Sequence, residues 1–258
     1  MAQDFQGKAY YFSKSSMELG RWGARLSEAQ KQQVKARLKN RLEKTYVLTF
    51  NKTESMFKEE DKLDAISGAT DTWGKNFTPG VQYKNIKTNT LLQSQEFYGK
   101  QFLVKDKLLP VAWNMSSETK KIGNYTCFKA SGIVPEKDLA WYDFSWNRLR
   151  SKDNDEASPD ENKTADDINM VTIEAWYTLD IPVSQGPLEY WGLPGLILEV
   201  SAGNTTILCS KIVMNPDEKT EIKAPVKGKV VTKTEYQEII TEKMTEMRDM
   251  YRGRRSSN

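Results

Sequence analysis

Along most of this chain apolar and polar residues alternate one for one, the period of a strand with one buried face. The alternation predicts strands over Gly7–Lys14 and Thr45–Lys52. Between Val81 and Gly132 it predicts five more, Val81–Asn89, Thr90–Tyr98, Gln101–Lys105, Val111–Ser116 and Tyr125–Ser131. Their joints, Tyr98-Gly99-Lys100, Lys105-Asp106-Lys107 and Ile122-Gly123-Asn124, have turn chemistry. Leu139–Trp146, Val171–Leu179, Leu196–Val200 and Thr205–Met214 continue the series, the last two joined by a hairpin turn at Ala202-Gly203-Asn204. A strand roughly every ten residues with short turns reads as an antiparallel meander.

Two segments change period. Ser27–Lys44 carries Val34, Leu38 and Leu42 as a narrow stripe, opened by the capping-box pair Ser27 and Gln30. Its remaining surface is basic and reads as a solvated helix face. Thr234–Tyr251 places Tyr236, Ile239, Ile240, Met244, Met247 and Tyr251 on one face, with Thr234 and Gln237 as its expected cap. That face is expected to pack on the domain rather than to serve as an adaptable methionine-rich surface. The basic stretch Arg252–Asn258 reads as a frayed tail.

The sharpest local feature is Tyr190-Trp191-Gly192-Leu193-Pro194-Gly195-Leu196-Ile197-Leu198-Glu199-Val200. Pro194 suits position i+1 of a type II turn, and Gly195 would supply the positive φ needed at i+2. Leu196, Leu198 and Val200 then alternate as a strand face. Glu54–Gly80, with its acidic cluster Glu59, Glu60, Asp61 and Asp64, reads as a long solvated loop. Residues 148–169 form a polar insert. It lacks calcium-loop spacing, because Ala157 stands where a third ligand belongs and no turn glycine is present.

Composition narrows the function classes. The chain has 258 residues with 28 % charged and 10 % aromatic side chains, expected to form a single folded domain. A net charge of +3 is low for a dedicated nucleic-acid binder. No apolar run is long enough to cross a membrane as a helix. Histidine is absent, which removes Ser-His-Asp and Cys-His catalysis and histidine zinc sites. The enzymatic options left are a carboxylate pair, a lysine base or a bound metal; a carboxylate-based hydrolase would draw on Asp143, Glu174, Asp180, Glu189 and Glu199, none at diagnostic spacing. No cofactor or metal is expected. Trp113, Trp141, Trp176, Tyr177 and Trp191 lie on or beside strands, and would either line a pocket or partner surface on a curved sheet or fill its core.

Cys127 and Cys209 each fall within a predicted strand. On one curved sheet they could meet and close a loop of roughly 80 residues, worth about 4–5 kcal/mol in the chain-entropy model. The alternative is two buried thiols. Met1-Ala2-Gln3-Asp4 has neither a basic n-region nor an apolar h-region, leaving a cytosolic protein or one whose signal peptide was removed and a start Met added.

Gly192-Leu193-Pro194-Gly195-Leu196-Ile197 is the motif that gives the GLPGLI family its name. The chain resembles that family also in Tyr46–Phe57, Glu118–Ala130 and Ala175–Pro187, four blocks in order over about Tyr10 to Met250. The polar insert departs from the family pattern. The resemblance implies an exported protein of Bacteroidota-type bacteria, periplasmic or outer-membrane-associated, with its signal peptide removed and hence a Cys127–Cys209 disulfide. It assigns no catalytic residue. By analogy, the element order is similar to that of LolA-like lipoprotein carriers. The expected fold is therefore mainly β: a curved antiparallel sheet or open half-barrel with one N-terminal and one C-terminal helix. The expected role is non-enzymatic: binding an envelope protein partner, or an apolar, lipid-like or lipopeptide ligand, on the curved sheet.

Overall fold

In the computed structural model, which describes residues 5–16, 25–60, 77–144 and 169–255, the first strand sits at the centre of the sheet. β1 (Gly7–Ser15) pairs antiparallel on one side with β2 (Glu43–Phe50) and on the other with β11 (Thr205–Met214), from Gly7 opposite Met214 to Ser15 opposite Thr205. From β2 the sheet continues through β3 (Glu54–Glu59), β4 (Gln82–Asn85), β5 (Thr90–Phe97) and β6 (Lys100–Asp106). From β11 it continues through β10 (Leu196–Ala202), β9 (Met170–Thr178), β8 (Tyr125–Pro135) and β7 (Asn114–Ile122). β12 (Lys229–Val231) adds a parallel edge beside β6. The result is one curved, unclosed sheet of twelve strands, the half-barrel expected from the sequence. The alternation delivers it because every paired residue shares a face with its partner, so an apolar set in register lines one side.

Two apolar clusters occupy the concave face. The larger gathers Tyr11, Leu48, Phe50, Phe57, Ile173, Leu196, Ile197 and Val200. The smaller packs Phe97, Phe102 and Val104 against Tyr236, Ile240 and Met244 of the C-terminal helix α3 (Lys233–Arg255). The predicted face of this helix therefore packs on the sheet. Its cap lies two residues earlier than expected: Glu235 N donates to Thr232 Oγ1 at 3.2 Å and Thr232 N to Glu235 Oε2 at 2.7 Å. The helix also runs through Arg255, taking in the first four residues of the stretch read as a frayed tail. The N-terminal helix α1 (Glu28–Leu42) begins at its predicted capping box, with Ser27 and Gln30 exchanging bonds of 2.9 and 3.3 Å.

Two local expectations are corrected. The described part of the expected strand Leu139–Trp146, residues 139–144, is not a strand. Pro135 ends β8, and Glu136 and Asp138 favour a helix start, giving a short helix α2 (Glu136–Leu139) followed by a turn. Residues 54–59 of the expected loop are strand β3. The polar insert and most of the acidic segment lie outside the described residues.

The Cys127–Cys209 disulfide expected from the family resemblance is absent; both residues are buried free thiols. The register explains it. Cys127 lies two residues from Lys129 on β8, Lys129 pairs with Trp176, Trp176 with Glu199, and Glu199 with Leu208. Those residues share one face, and Cys209, next to Leu208, points to the other. Burial pushes the Cys127 thiol up to about 11 and Cys209 to about 12, the nearby Cys127 adding to the latter. A disulfide reagent at pH 8 is therefore expected to count two thiols per chain in denaturant and to react slowly with the native protein. A count of zero would restore the bond. Because both folded pKa values are raised, the stability these thiols contribute is present below the unfolded value and lost as pH climbs through 11–12.

Candidate functional site

Residues 179–195, which join β9 to β10, lie across the concave face as a strap. Ile181, Val183, Tyr190 and Leu193 are buried in the main core cluster. The strap also bonds to itself and to the start of β10. Val183 N donates to Ile181 O at 2.8 Å, Gly192 N to Ser184 O at 3.2 Å, Leu196 N to Ile181 O at 2.9 Å and Ile197 N to Gln185 O at 3.1 Å.

Lys84 fastens it to the sheet. The residue is 1 % exposed, and its ammonium donates to the carbonyls of Gly186 at 2.6 Å, Leu188 at 2.7 Å and Tyr190 at 3.2 Å. An ammonium has three hydrogens, and each is used. Burial lowers Lys84 to about 7, Glu189 opposes the shift and Lys233 adds to it. Beside Lys84, Ser55 Oγ donates to Gln185 Oε1 at 2.8 Å. Glu189, 3 % exposed, accepts from Trp141 Nε1 at 3.0 Å and Gln82 Nε2 at 3.4 Å, and pairs with Lys233 Nζ at 3.0 Å. Gln82, Gln93 and Gln95 form a buried chain of amides at 3.0 and 3.1 Å that ends on Gly80 N and Thr78 O. Sequence reasoning missed Lys84 and this amide row. Only the register, which pairs Lys84 with Ser55 and Leu91 on the inward face, marks them.

The five aromatic candidates do not converge. Trp113 Nε1 donates to Trp191 O at 2.9 Å and Trp191 Nε1 to Leu109 O at 2.7 Å, so these half-buried rings clip the strap to the segment before β7. Trp141 is buried in the α3 cluster. Trp176 is on the opposite face of the sheet, with Lys120 Nζ 4.2 Å above its ring. Tyr177 sits in the main core. The carboxylates are likewise dispersed. Glu174 bonds Lys129 and Trp176, and Lys129 holds its pKa below the ordinary value, the reverse of what a general acid needs. Glu199 pairs with Lys120 at 2.8 Å. Among the described residues no group of three Cys, Asp or Glu could hold a metal ion, and no helix is long and apolar enough to cross a membrane.

The Gly192–Ile197 segment has a different geometry from the predicted turn. Gly195 does not take positive φ; Gly192 does, at +92°. Gly195 is needed for space, since a Cβ there would stand 1.9 Å from the Thr178 carbonyl oxygen. Leu193, Leu196 and Ile197 are fully buried. The motif is thus a seam between strap and sheet, not a surface turn.

Among the described residues, one cleft of about 180 Å³ lies beside the strap. It lies between α2, the Leu188–Tyr190 stretch and the β10–β11 hairpin.

A family model described as a protein of unknown function (Porph_ging) matches residues 113–199, from Trp113 through the strap to Glu199. No curated protein sequence matches the chain. Two solved structures titled as PNGF-II, in C2 and P21 space groups, are similar over 92 % and 90 % of this chain. Sequence identities are 16 % and 14 %, both with a TM-score of 0.47. The chain spans about a third of their length, 32 % and 33 %.

Proposed function

We propose that this chain is a non-enzymatic, exported accessory protein of the GLPGLI type, periplasmic or outer-membrane-associated, that binds a protein partner. One observation carries the reading: the concave face that could have held a ligand is occupied by the chain's own strap. Three carbonyls on the Lys84 ammonium hold it there. The cleft beside α2, about 180 Å³, is smaller than the roughly 300–1,000 Å³ of ordinary ligand pockets. An acyl chain carried inside the sheet would need the strap displaced. The ionisable groups beneath the strap are committed to one another, which disfavours catalysis there. The motif blocks Tyr46–Phe57, Glu118–Ala130 and Ala175–Pro187 support export, and the match to a family of unknown function over residues 113–199 is compatible with it.

The test has two arms. Immobilised full chain is expected to retain a specific protein from envelope extracts, released by an excess of free chain. Tryptophan fluorescence is expected to stay unchanged on titration with a fatty acid or lipopeptide. A chain that stays a lone monomer in repeated trials while its fluorescence saturates with fatty acid would replace this reading with an apolar-ligand carrier.

A further inference from the structure

The strap leaves two hydroxyls unused. Tyr190 is 6 % exposed and Tyr142 half-buried; both line the cleft, and among the described residues neither phenol oxygen has a hydrogen-bond partner. Of the two carboxylates in the lining, one has a counter-ion and the other only a neutral amide. Glu189 is held by Lys233 and Trp141, with Lys84 close behind. Glu136, on the opposite wall, accepts from Asn169. No lysine or arginine lines the cleft, and its floor is apolar, with Val200, Ile207 and Leu188. An anionic guest would be desolvated beside two carboxylates with no cation in the lining to answer it. An uncharged apolar guest would leave the two phenols dry and unsatisfied.

We propose that this cleft is a binding site for an uncharged apolar group carrying one hydroxyl, of the size of a tyrosine side chain. Its ring or alkyl body covers Val200 and Ile207, and its hydroxyl exchanges hydrogen bonds with Tyr142 and Tyr190. In the partner reading, on which this clause alone rests, the guest is an anchoring side chain of the partner. The site itself is built whether or not a partner exists.

p-Cresol, toluene and 4-methylbenzoate titrated into the isolated full chain, followed by protein chemical shifts, test it. p-Cresol is expected to shift the amides of Tyr190, Gly203 and Asn204 saturably and to bind about threefold to tenfold more tightly than toluene, the value of one neutral hydrogen bond. 4-Methylbenzoate is expected not to compete. Tyr142→Phe with Tyr190→Phe should erase the preference for p-cresol without weakening toluene. Ala202→Leu, which fills the cleft from its rim, should abolish both. No shift at millimolar p-cresol, a preference that survives the double phenylalanine variant, or 4-methylbenzoate binding as tightly as p-cresol overturns the proposal. Binding of p-cresol with no envelope protein retained supports the cleft and removes the partner. A retained partner with no p-cresol binding does the opposite.

Discussion

Lys84→Met is expected to destabilise the protein by about 3–5 kcal/mol, the range for removing one member of a buried charged network. Methionine matches the stem but donates nothing, so the carbonyls of Gly186, Leu188 and Tyr190 lose their shared partner inside the protein. Each unsatisfied buried acceptor costs about 1–3 kcal/mol. Glu189 keeps Lys233 and Trp141, so the loss concentrates on the strap. Urea unfolding should show the lower midpoint. Hydrogen exchange should show the amides of Gly192, Leu196 and Ile197 losing protection first, since their acceptors lie in the strap. A cost below about 1 kcal/mol, outside the quoted range, would mean the strap is held by its apolar side chains alone.

The same residue sets a pH response of definite sign. Lys84 has its folded pKa lowered to about 7 from an ordinary 10.5. Between those values the unfolded chain holds a proton that the folded chain has released, so stability rises with pH. The buried thiols act oppositely, and so do Tyr11, Tyr46, Tyr142, Tyr190 and Tyr236, which burial raises well above the ordinary tyrosine value. Those groups begin to matter near pH 8, as the unfolded thiols start to ionise. From pH 7 to 8 the wild-type chain should therefore gain stability while Lys84→Met stays flat.

What was legible in the sequence was local. The Ser27–Gln30 box needs only residues three apart, and the Ala202-Gly203-Asn204 turn needs only a glycine flanked by alternating strands; the latter takes φ +56° at Gly203. Most strand positions followed from period two, but β3 and β12 were missed and residues 139–144 were read as a strand in error. What was not legible depended on partners distant in the chain. Lys84 sits in Gln82-Tyr83-Lys84-Asn85, where the pattern alone turns Tyr83 inward and lysine out, yet all of the first three are buried. The inward turn of Lys84 is meaningful only because carbonyls about a hundred residues later come down on it (|i−j| of 102 to 106). The thiols failed for the same reason in reverse. Both were correctly placed on strands, but the face each takes is decided by three successive pairings that no local pattern states. Trp176 looked like a pocket residue and is instead covered by Lys120 on the far face, because aromatic content does not reveal which side of a sheet it serves.

Gly195→Ala is expected to cost about 3–4 kcal/mol, at the upper end of overpacking penalties or beyond. The reason is contact rather than conformation. Its new Cβ would lie 1.9 Å from Thr178 O and 2.6 Å from Thr178 C, backbone atoms that cannot rotate away. Relief requires separating the ends of β9 and β10 where Leu196 pairs with Thr178, both fully buried. Leu196 N would then lose its alignment with Ile181 O. Gly192→Ala provides the contrast. Its φ of +92° is strained for alanine, but the nearest atom to a Cβ is Trp113 Nε1 at 3.8 Å, so only backbone strain of about 1–2 kcal/mol is expected. Read as a surface type II turn, the motif assigns Gly195 the conformational penalty and Gly192 none. Read as a seam, it makes Gly195 about twice as costly as Gly192. Paired urea unfolding of the two variants decides between them, and a Gly195→Ala cost no larger than that of Gly192→Ala would sink the seam.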